Sequence, residues 1–263
     1  MNPVTRILLK IFGRLTPGVT GRMFKNWALN PDDFNASIGL LRDRTFVSRG
    51  DRWKLIKQFY AIFFARPAIP HTQAELLTYV RRIFAVSPDT EGVIVEAGCF
   101  KGISSAKLSL AARLANRKLV IFDSFEGIPE NTEDHDKTIF GGDATFGEGD
   151  YAGSLNEVQN NIREFGDIDV CEFNKGWFDD SMPGFERPVI YAVVDVDLVS
   201  STRTCIEHMF PLLQPGCSLI SQDAHLPLVV DLMENPAFWR DEIKIIPANI
   251  QRLSGTLMEM VAP

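Results

Sequence analysis

With 263 residues, 45% hydrophobic, 23% charged and a net charge of −7, the chain can bury one large α/β domain plus a smaller extension, and it is too apolar to be disordered by default. Its four cysteines, Cys99, Cys171, Cys205 and Cys217, lack CxxC spacing, which excludes a zinc ribbon or disulfide frame and points to free thiols of a reducing compartment. No apolar run approaches the ~20 residues that span a bilayer, and no secretory h-region opens the chain, so a cytoplasmic location is expected.

Charge is divided unevenly. Residues 1–82 hold 14 Lys+Arg against 5 Asp+Glu; the remainder holds 13 against 29. The acidic part argues against nucleic acid as a partner, because phosphate binding needs a basic face. Val4, Ile7, Leu8, Ile11, Phe12 and Leu15 stand at helical spacing, with Arg6, Lys10 and Arg14 between them. This predicts a short amphipathic helix. Such a helix can anchor to a membrane surface, but the expectation is docking on the domain or on a second subunit. Pro17-Gly18 and Pro31-Asp32-Asp33 are breaks. A second helical stretch is expected from Arg52 to Ala65. Thr72-Gln73-Ala74-Glu75 has capping-box spacing and opens another helix, carrying Leu76, Leu77, Val80, Ile83 and Phe84 and ended by Ser87-Pro88. Residues 1–88 are therefore expected to form a helical extension, acting as a cap or oligomerisation element, and residues 89–263 the main domain.

From Gly92 the pattern changes. Val93–Ala97, Leu119–Phe122, Val170–Phe173, Val189–Val194 and Cys217–Ser221 are short apolar runs that predict buried strands. Helices are expected at Ser104–Ala115, Leu155–Phe165 and Ser201–Leu213. Glu242–Ile246 and Thr256–Val261 are expected to be a closing pair of strands. Strands alternating with helices imply an α/β, doubly wound sheet whose ligands bind beyond the strands' carboxyl ends. Residues 130–153, rich in Gly and Asp, form a long connection and a candidate lid.

The first strand ends Glu96-Ala97-Gly98-Cys99-Phe100-Lys101-Gly102, and Ser104 opens a helix. Glycines let the backbone turn tightly beside a ligand, and the helix start offers N–H groups to a carboxylate. Phe100 stands where a dinucleotide fingerprint needs its middle glycine, so a pyrophosphate fits less well. The second strand ends in Asp123, placed to accept hydrogen bonds from both hydroxyls of a ribose. The alternative for Asp123 is a helix N-cap.

The fourth strand ends Asp195-Val196-Asp197 and the fifth Gln222-Asp223-Ala224-His225. As neighbours about 4.8 Å apart, these strands would bring Asp195, Asp197 and Asp223 together. Clustered carboxylates repel unless a cation or proton is present, and oxygen ligands suit Mg²⁺. A metal beside a substrate hydroxyl would stabilise its alkoxide while a carboxylate takes the proton.

Glu96-x-Gly98-x-x-x-Gly102, Phe122-Asp123-Ser124-Phe125-Glu126-Gly127-Ile128-Pro129 and Lys175-Gly176-Trp177-Phe178-Asp179-Asp180 resemble the macrocin O-methyltransferase family over residues 90–225. The resemblance implies a Rossmann-like methyltransferase sheet of seven strands, the last pair antiparallel, that binds S-adenosylmethionine. It implies that Glu96 and Gly98 line the methionine part, with Phe100, Gly102 and Ser104 completing that loop. Asp123 and Ser124 would hold the ribose, and Gly176 and Trp177 would lie near the adenine. Asp195 would ligate Mg²⁺ together with Gln222 and Asp223, and Asp197 would be the general base. The family usually has two acids where this chain has Gln222-Asp223. An amide oxygen can still coordinate but brings no charge, so metal affinity should be lower. The family's Tyr after the Asp pair is Val199 here. His225 is either a supplementary ligand or a surface histidine. The implied activity is methyl transfer to a hydroxyl of a sugar or glycosylated small metabolite, as in natural product biosynthesis, with homo-oligomerisation a further expectation. Two alternatives stay open. One is a homologue that binds cofactor but has lost the chemistry, motivated by Gln222. The other is a glycosyltransferase using Asp-x-Asp for Mn²⁺ and a nucleotide sugar.

Overall fold

The computed structural model describes residues 1–66 and 71–263; part of the expected extension, residues 67–70, lies outside it. The chain divides into two units, Met1–Ser87 and Pro88–Pro263. In the first, each proline break starts a helix: α1 (Pro3–Leu15), α2 (Gly18–Leu29) and α3 (Pro31–Arg42) precede α4 (Arg49–Ala65) and α5 (Gln73–Ala85). Proline suits a first helical turn, where its missing N–H is not needed. The capping box at Thr72 is formed in both directions with Glu75. Trp27 centres this unit, in edge contact with Phe34, Trp53 and Tyr60 and donating its indole N–H to the Tyr60 hydroxyl at 2.9 Å. Burial pushes the Tyr60 phenol far above its ordinary range.

The second unit carries a seven-stranded sheet: β1 (Val93–Ala97), β2 (Leu119–Asp123), β3 (Cys171–Lys175), β4 (Val189–Val194), β5 (Leu213–Ser221), β6 (Asn249–Arg252) and β7 (Met258–Val261). Their order is β3-β2-β1-β4-β5-β7-β6. β1 to β5 are parallel, and β7 runs antiparallel to both β5 and β6. β1 and β4 are buried throughout, which explains their unbroken apolar runs. Helices α6 (Ile103–Leu114), α7 (Leu155–Phe165), α8 (Phe178–Ser181), α9 (Val199–Met209) and α10 (Pro227–Glu234) fill the connections. The expected doubly wound sheet with an antiparallel closing pair is present. One strand is misplaced: residues 242–246 are not a strand. Phe238–Ile243 is instead a π-helical segment, held by Phe238 and by Trp239, whose ring packs 4.8 Å from Phe210. The sixth strand begins later, at Asn249.

Strand order reverses between β1 and β4, and in sheets of this kind ligands bind beyond the carboxyl ends at such a reversal. The two strand ends approach closely here. Gly98 has φ +82°, and a Cβ built there would lie 1.9 Å from the Asp195 carbonyl oxygen.

The connection after β2 forms a strap over this edge. Its base is closed by N–H groups of Ile128 and Gly149, which donate to the carbonyls of Asp150 and Ile128, each at 2.9 Å. Its middle reaches the segment after β5, where Ile139 N–H donates to the His225 carbonyl at 2.9 Å. Glu133 forms the third attachment. Its carboxylate accepts the N–H of Val199 at 2.6 Å and of Ser200 at 2.8 Å, at the start of α9. The residue before α9, Leu198, has no side chain able to cap it, so a carboxylate from 66 positions away does so. His135, buried against Phe146, contacts the same carboxylate at 3.0 Å. Burial alone would raise the Glu133 pKa. The hydrogen bonds from Ser200, Val199 and His135 outweigh it and hold the carboxyl below the usual range.

Two outcomes are expected. Gly98→Ala combines a disfavoured φ with a backbone collision and should cost about 2–4 kcal/mol of stability in chemical denaturation; an unchanged midpoint would contradict the close approach to β4. For Glu133, whose folded pKa is depressed, the stabilisation is present at neutral pH and is lost as pH falls through that lowered value. The stability difference between the native protein and Glu133→Gln should therefore be widest near neutrality and close in acid, as read from thermal melts across pH. A difference independent of pH would rule out the charged cap.

Candidate active site

The β1 loop leaves the sheet through Gly98, whose N–H donates to the Phe122 carbonyl at 3.0 Å, and turns at Phe100 (φ 48°) and Gly102 (φ 76°) into α6. Gly102 supplies no side-chain cap, and Ser104 is buried in the first helical turn. The N–H groups there are available to a ligand by the geometry of every helix start. Glu96 is buried within β1.

Asp123 ties the first two loops together. One carboxylate oxygen accepts the Cys99 N–H at 2.7 Å and the other the Phe125 N–H at 2.6 Å. It therefore caps a turn and bridges to the β1 loop, and no helix follows it. Each oxygen retains a lone pair for a diol. Ser124, by contrast, uses its hydroxyl inside its own turn, donating to the Gly127 carbonyl and accepting from Glu126 N–H, both at 3.1 Å. Gly176 donates its N–H to the Asp123 carbonyl at 3.1 Å, which brings the β3 loop alongside. Trp177, at the start of α8, is 37% exposed and is not a core aromatic. Around Cys99 the acids are close. Burial, then Asp123, then Glu96 push its thiol well above the usual range.

The second cluster closes β4 and β5. Asp223 is fully buried, and its Oδ2 accepts the N–H groups of Val196 at 3.0 Å and Asp197 at 3.1 Å. Asp197 sits at φ 61°, and Leu198 N–H donates to the Val196 carbonyl at 2.6 Å, so the segment is a tight three-residue turn. A positive φ on a non-glycine residue stores strain that neighbours must hold, and such strain gathers at functional sites. Burial, then the charges of Asp197 and Asp195, push Asp223 well above the ordinary carboxylate range. Asp195 and Asp197 remain partly exposed, and Gln222 is buried with its N–H on the Val194 carbonyl at 2.8 Å. The three acids thus share one electrostatic cluster, as the sequence implied. Among the described residues, however, no three His, Cys, Asp or Glu side chains are gathered closely enough to hold a metal ion. His225 contributes its carbonyl to the strap.

Two residues escaped the sequence. Tyr151, at the end of the strap, stands edge-on to Phe100 with ring centroids 5.9 Å apart. Burial raises its phenol pKa, followed by Asp197, Asp150 and Asp195, so the ring links the β1 loop to the acids. Glu133 is the other. Its only trace in the sequence is Leu198, a helix start that cannot cap itself.

The family model of macrocin-O-methyltransferase (TylF) matches residues 74–255, from α5 through β6. The chain is 29% identical over 166 residues to 8-demethyl-8-(2,3-dimethoxy-alpha-L-rhamnosyl)-tetracenomycin-C 4'-O-methyltransferase of Streptomyces olivaceus, covering 60% of this chain and 64% of that protein. It is 30% identical over 151 residues to mycinamicin III 3''-O-methyltransferase of Micromonospora griseorubida, covering 54% and 59%. The chain thus spans less than two thirds of the length of these curated relatives. Among solved structures, the O-methyltransferase NovP superposes with a TM-score of 0.59 at 21% identity, over 74% of this chain and 83% of that one. A calicheamicin methyltransferase gives 0.57 at 16%, over 88% and 93%. At these identities the likeness is one of fold. With more than half its length matched by the family model, the chain belongs to the macrocin-O-methyltransferase (TylF) family.

Proposed function

We propose that this protein transfers a methyl group from S-adenosylmethionine to a hydroxyl of a sugar or glycosylated small metabolite, with Asp197 as general base. The observation that carries this is the meeting of two acid clusters at the β1/β4 reversal, where Gly98 touches the Asp195 backbone. One cluster suits a nucleoside and an ammonium; the other suits a proton acceptor. Family membership and the named activities of the relatives support it.

In this mechanism Glu96, Gly98, Phe100, Gly102 and Ser104 line the methionine part. Asp123 holds the ribose, with Ser124 contributing the turn rather than its hydroxyl, and Gly176 and Trp177 lie near the adenine. When bound, S-adenosylmethionine supplies an electrophilic methyl on a sulfonium. Asp197 accepts the proton of the acceptor hydroxyl, and its strained turn, held by Asp223, keeps the carboxylate in one place. Positioning of this kind supplies much of the rate of a displacement.

The donor chemistry also fits a divalent cation. Oδ1 of Asp223 is buried with no hydrogen-bond partner, and burial, then the Asp197 and Asp195 carboxylates, raise that group's pKa. Asp195 and Asp223, with the Gln222 amide oxygen, would hold Mg²⁺, which would make a nearby hydroxyl more acidic. The neutral Gln222 favours weak binding and sustains a second reading, a cofactor-binding homologue without metal or turnover.

Asp123→Ala should weaken S-adenosylhomocysteine binding about 10–100-fold by calorimetry, through loss of charged hydrogen bonds; unchanged affinity would remove the ribose assignment. Asp197→Ala should leave that affinity within about twofold yet reduce labelled-methyl transfer to a panel of glycosylated acceptors by ~10²–10⁴. No transfer by the native protein to any acceptor would favour the second reading. Gln222→Asp should tighten Mg²⁺ binding at least about tenfold by restoring ligand charge; no change would place Gln222 outside the metal site.

A further inference from the structure

Helix α1 departs from one of its two expectations, docking on the domain. Docking on the rest of the chain would have buried its apolar stripe. The stripe is instead exposed: Val4 is 66% accessible, Ile7 58% and Leu15 75%, with Leu8, Ile11 and Phe12 also open. Its buried residues are Leu9 and Gly13. At 100° per residue, the six exposed apolar side chains fill a sector of about 140°, and Leu9 and Gly13 lie roughly opposite.

Glycine decides this orientation. A Cβ at Gly13 would meet Lys25 Cγ at 2.7 Å and the Gly21 carbonyl oxygen at 3.0 Å; one at Gly21 would meet the Thr16 carbonyl oxygen at 1.8 Å. α1 and α2 therefore cross closely on their smallest residues. Arg6 adds a tether, its Nε donating to the Ala28 carbonyl at 2.7 Å. The face chosen for packing is the glycine face, and the large apolar residues are turned outward.

The charge around this stripe selects its occupant. Lys10 and Arg14 lie on one side of the apolar sector, Arg6 is turned to the packing face, and residues 1–31 contain five Lys+Arg and no acid. Pairing α1 with α1 of a second copy would set these cations against themselves with no counter-charge. Apolar side chains beside a basic flank match a lipid interface, where apolar groups enter the acyl boundary and cations meet anionic headgroups. No helix among the described residues is long and apolar enough to cross a membrane, so contact would be at the surface.

We propose that α1 is a membrane-surface docking helix that lays Val4, Ile7, Leu8, Ile11 and Leu15 into an anionic lipid surface, with Lys10 and Arg14 at the headgroups. This is independent of the catalytic assignment. The test is co-sedimentation of the full chain with phosphatidylcholine vesicles, with and without phosphatidylglycerol. Binding is expected to the anionic vesicles and to weaken as salt rises, since screening cuts the headgroup attraction. Lys10→Gln with Arg14→Gln should lower partitioning about 30-fold, at about fivefold per charge. Ile7→Glu with Ile11→Glu should abolish it. All four side chains are exposed, and an unchanged thermal melt checks that the variants fold. The proposal is overturned if the native chain stays in solution beside anionic vesicles, or if either double variant binds as the native chain does. It is also overturned if light scattering shows a dimer that Ile7→Glu with Ile11→Glu dissociates, because the stripe would then belong to a second copy.

Discussion

Everything at the active edge hangs on one buried carboxylate. Asp223 is fully removed from water, and its Oδ2 receives the two N–H groups that form the turn presenting Asp197. A left-handed aspartate in a tight turn is costly by itself, and an ionisable group without solvent is costly by itself. Each offsets the other: the turn offers N–H dipoles to the carboxylate, and the carboxylate holds the turn. Burial still outweighs these bonds, and the charges of Asp197 and Asp195 add to it, so the carboxyl is pushed toward its protonated form.

The strap beside the same cluster is tied down by hydrogen bonds. The strap closes its own base with backbone hydrogen bonds, then reaches α9 through the Glu133 carboxylate. The strap and the Asp197 turn thus meet at the same helix start. A change at Glu133 would be felt at both. Tyr151 and Phe100 carry the connection to the other side, where Asp123 and Glu96 surround the β1 loop.

Much of this was legible from residue order. The capping box at Thr72 is satisfied by atoms three residues apart, and Leu155–Phe165 has its own Ser154 cap, so both helices could be read locally. The acids closing β4 and β5 were legible because strand ends are marked by a change from apolar to polar residues. The strand expected at 242–246 was not there, because Trp239 is held by Phe210, a contact across 29 positions that no local period records. Pro17 and Pro31 read as interruptions, yet both lead straight into helices, since a proline at a helix start and a proline in a loop look alike without the following packing.

The sequence by itself determined the alternation of strands and helices, the glycine turn after β1, the acids beyond β2, β4 and β5, and the amphipathic period of α1. These are properties of neighbours along the chain, set by side-chain size, branching and spacing. The tertiary structure alone decided which acid is buried, that Ser124 closes its own turn, that Glu133 caps α9 across 66 positions, and that α1 packs by its glycines and leaves its apolar face open. Those outcomes depend on which backbones approach closely enough to share a hydrogen bond or exclude a Cβ, and that distance is fixed only when the elements of each unit are packed together.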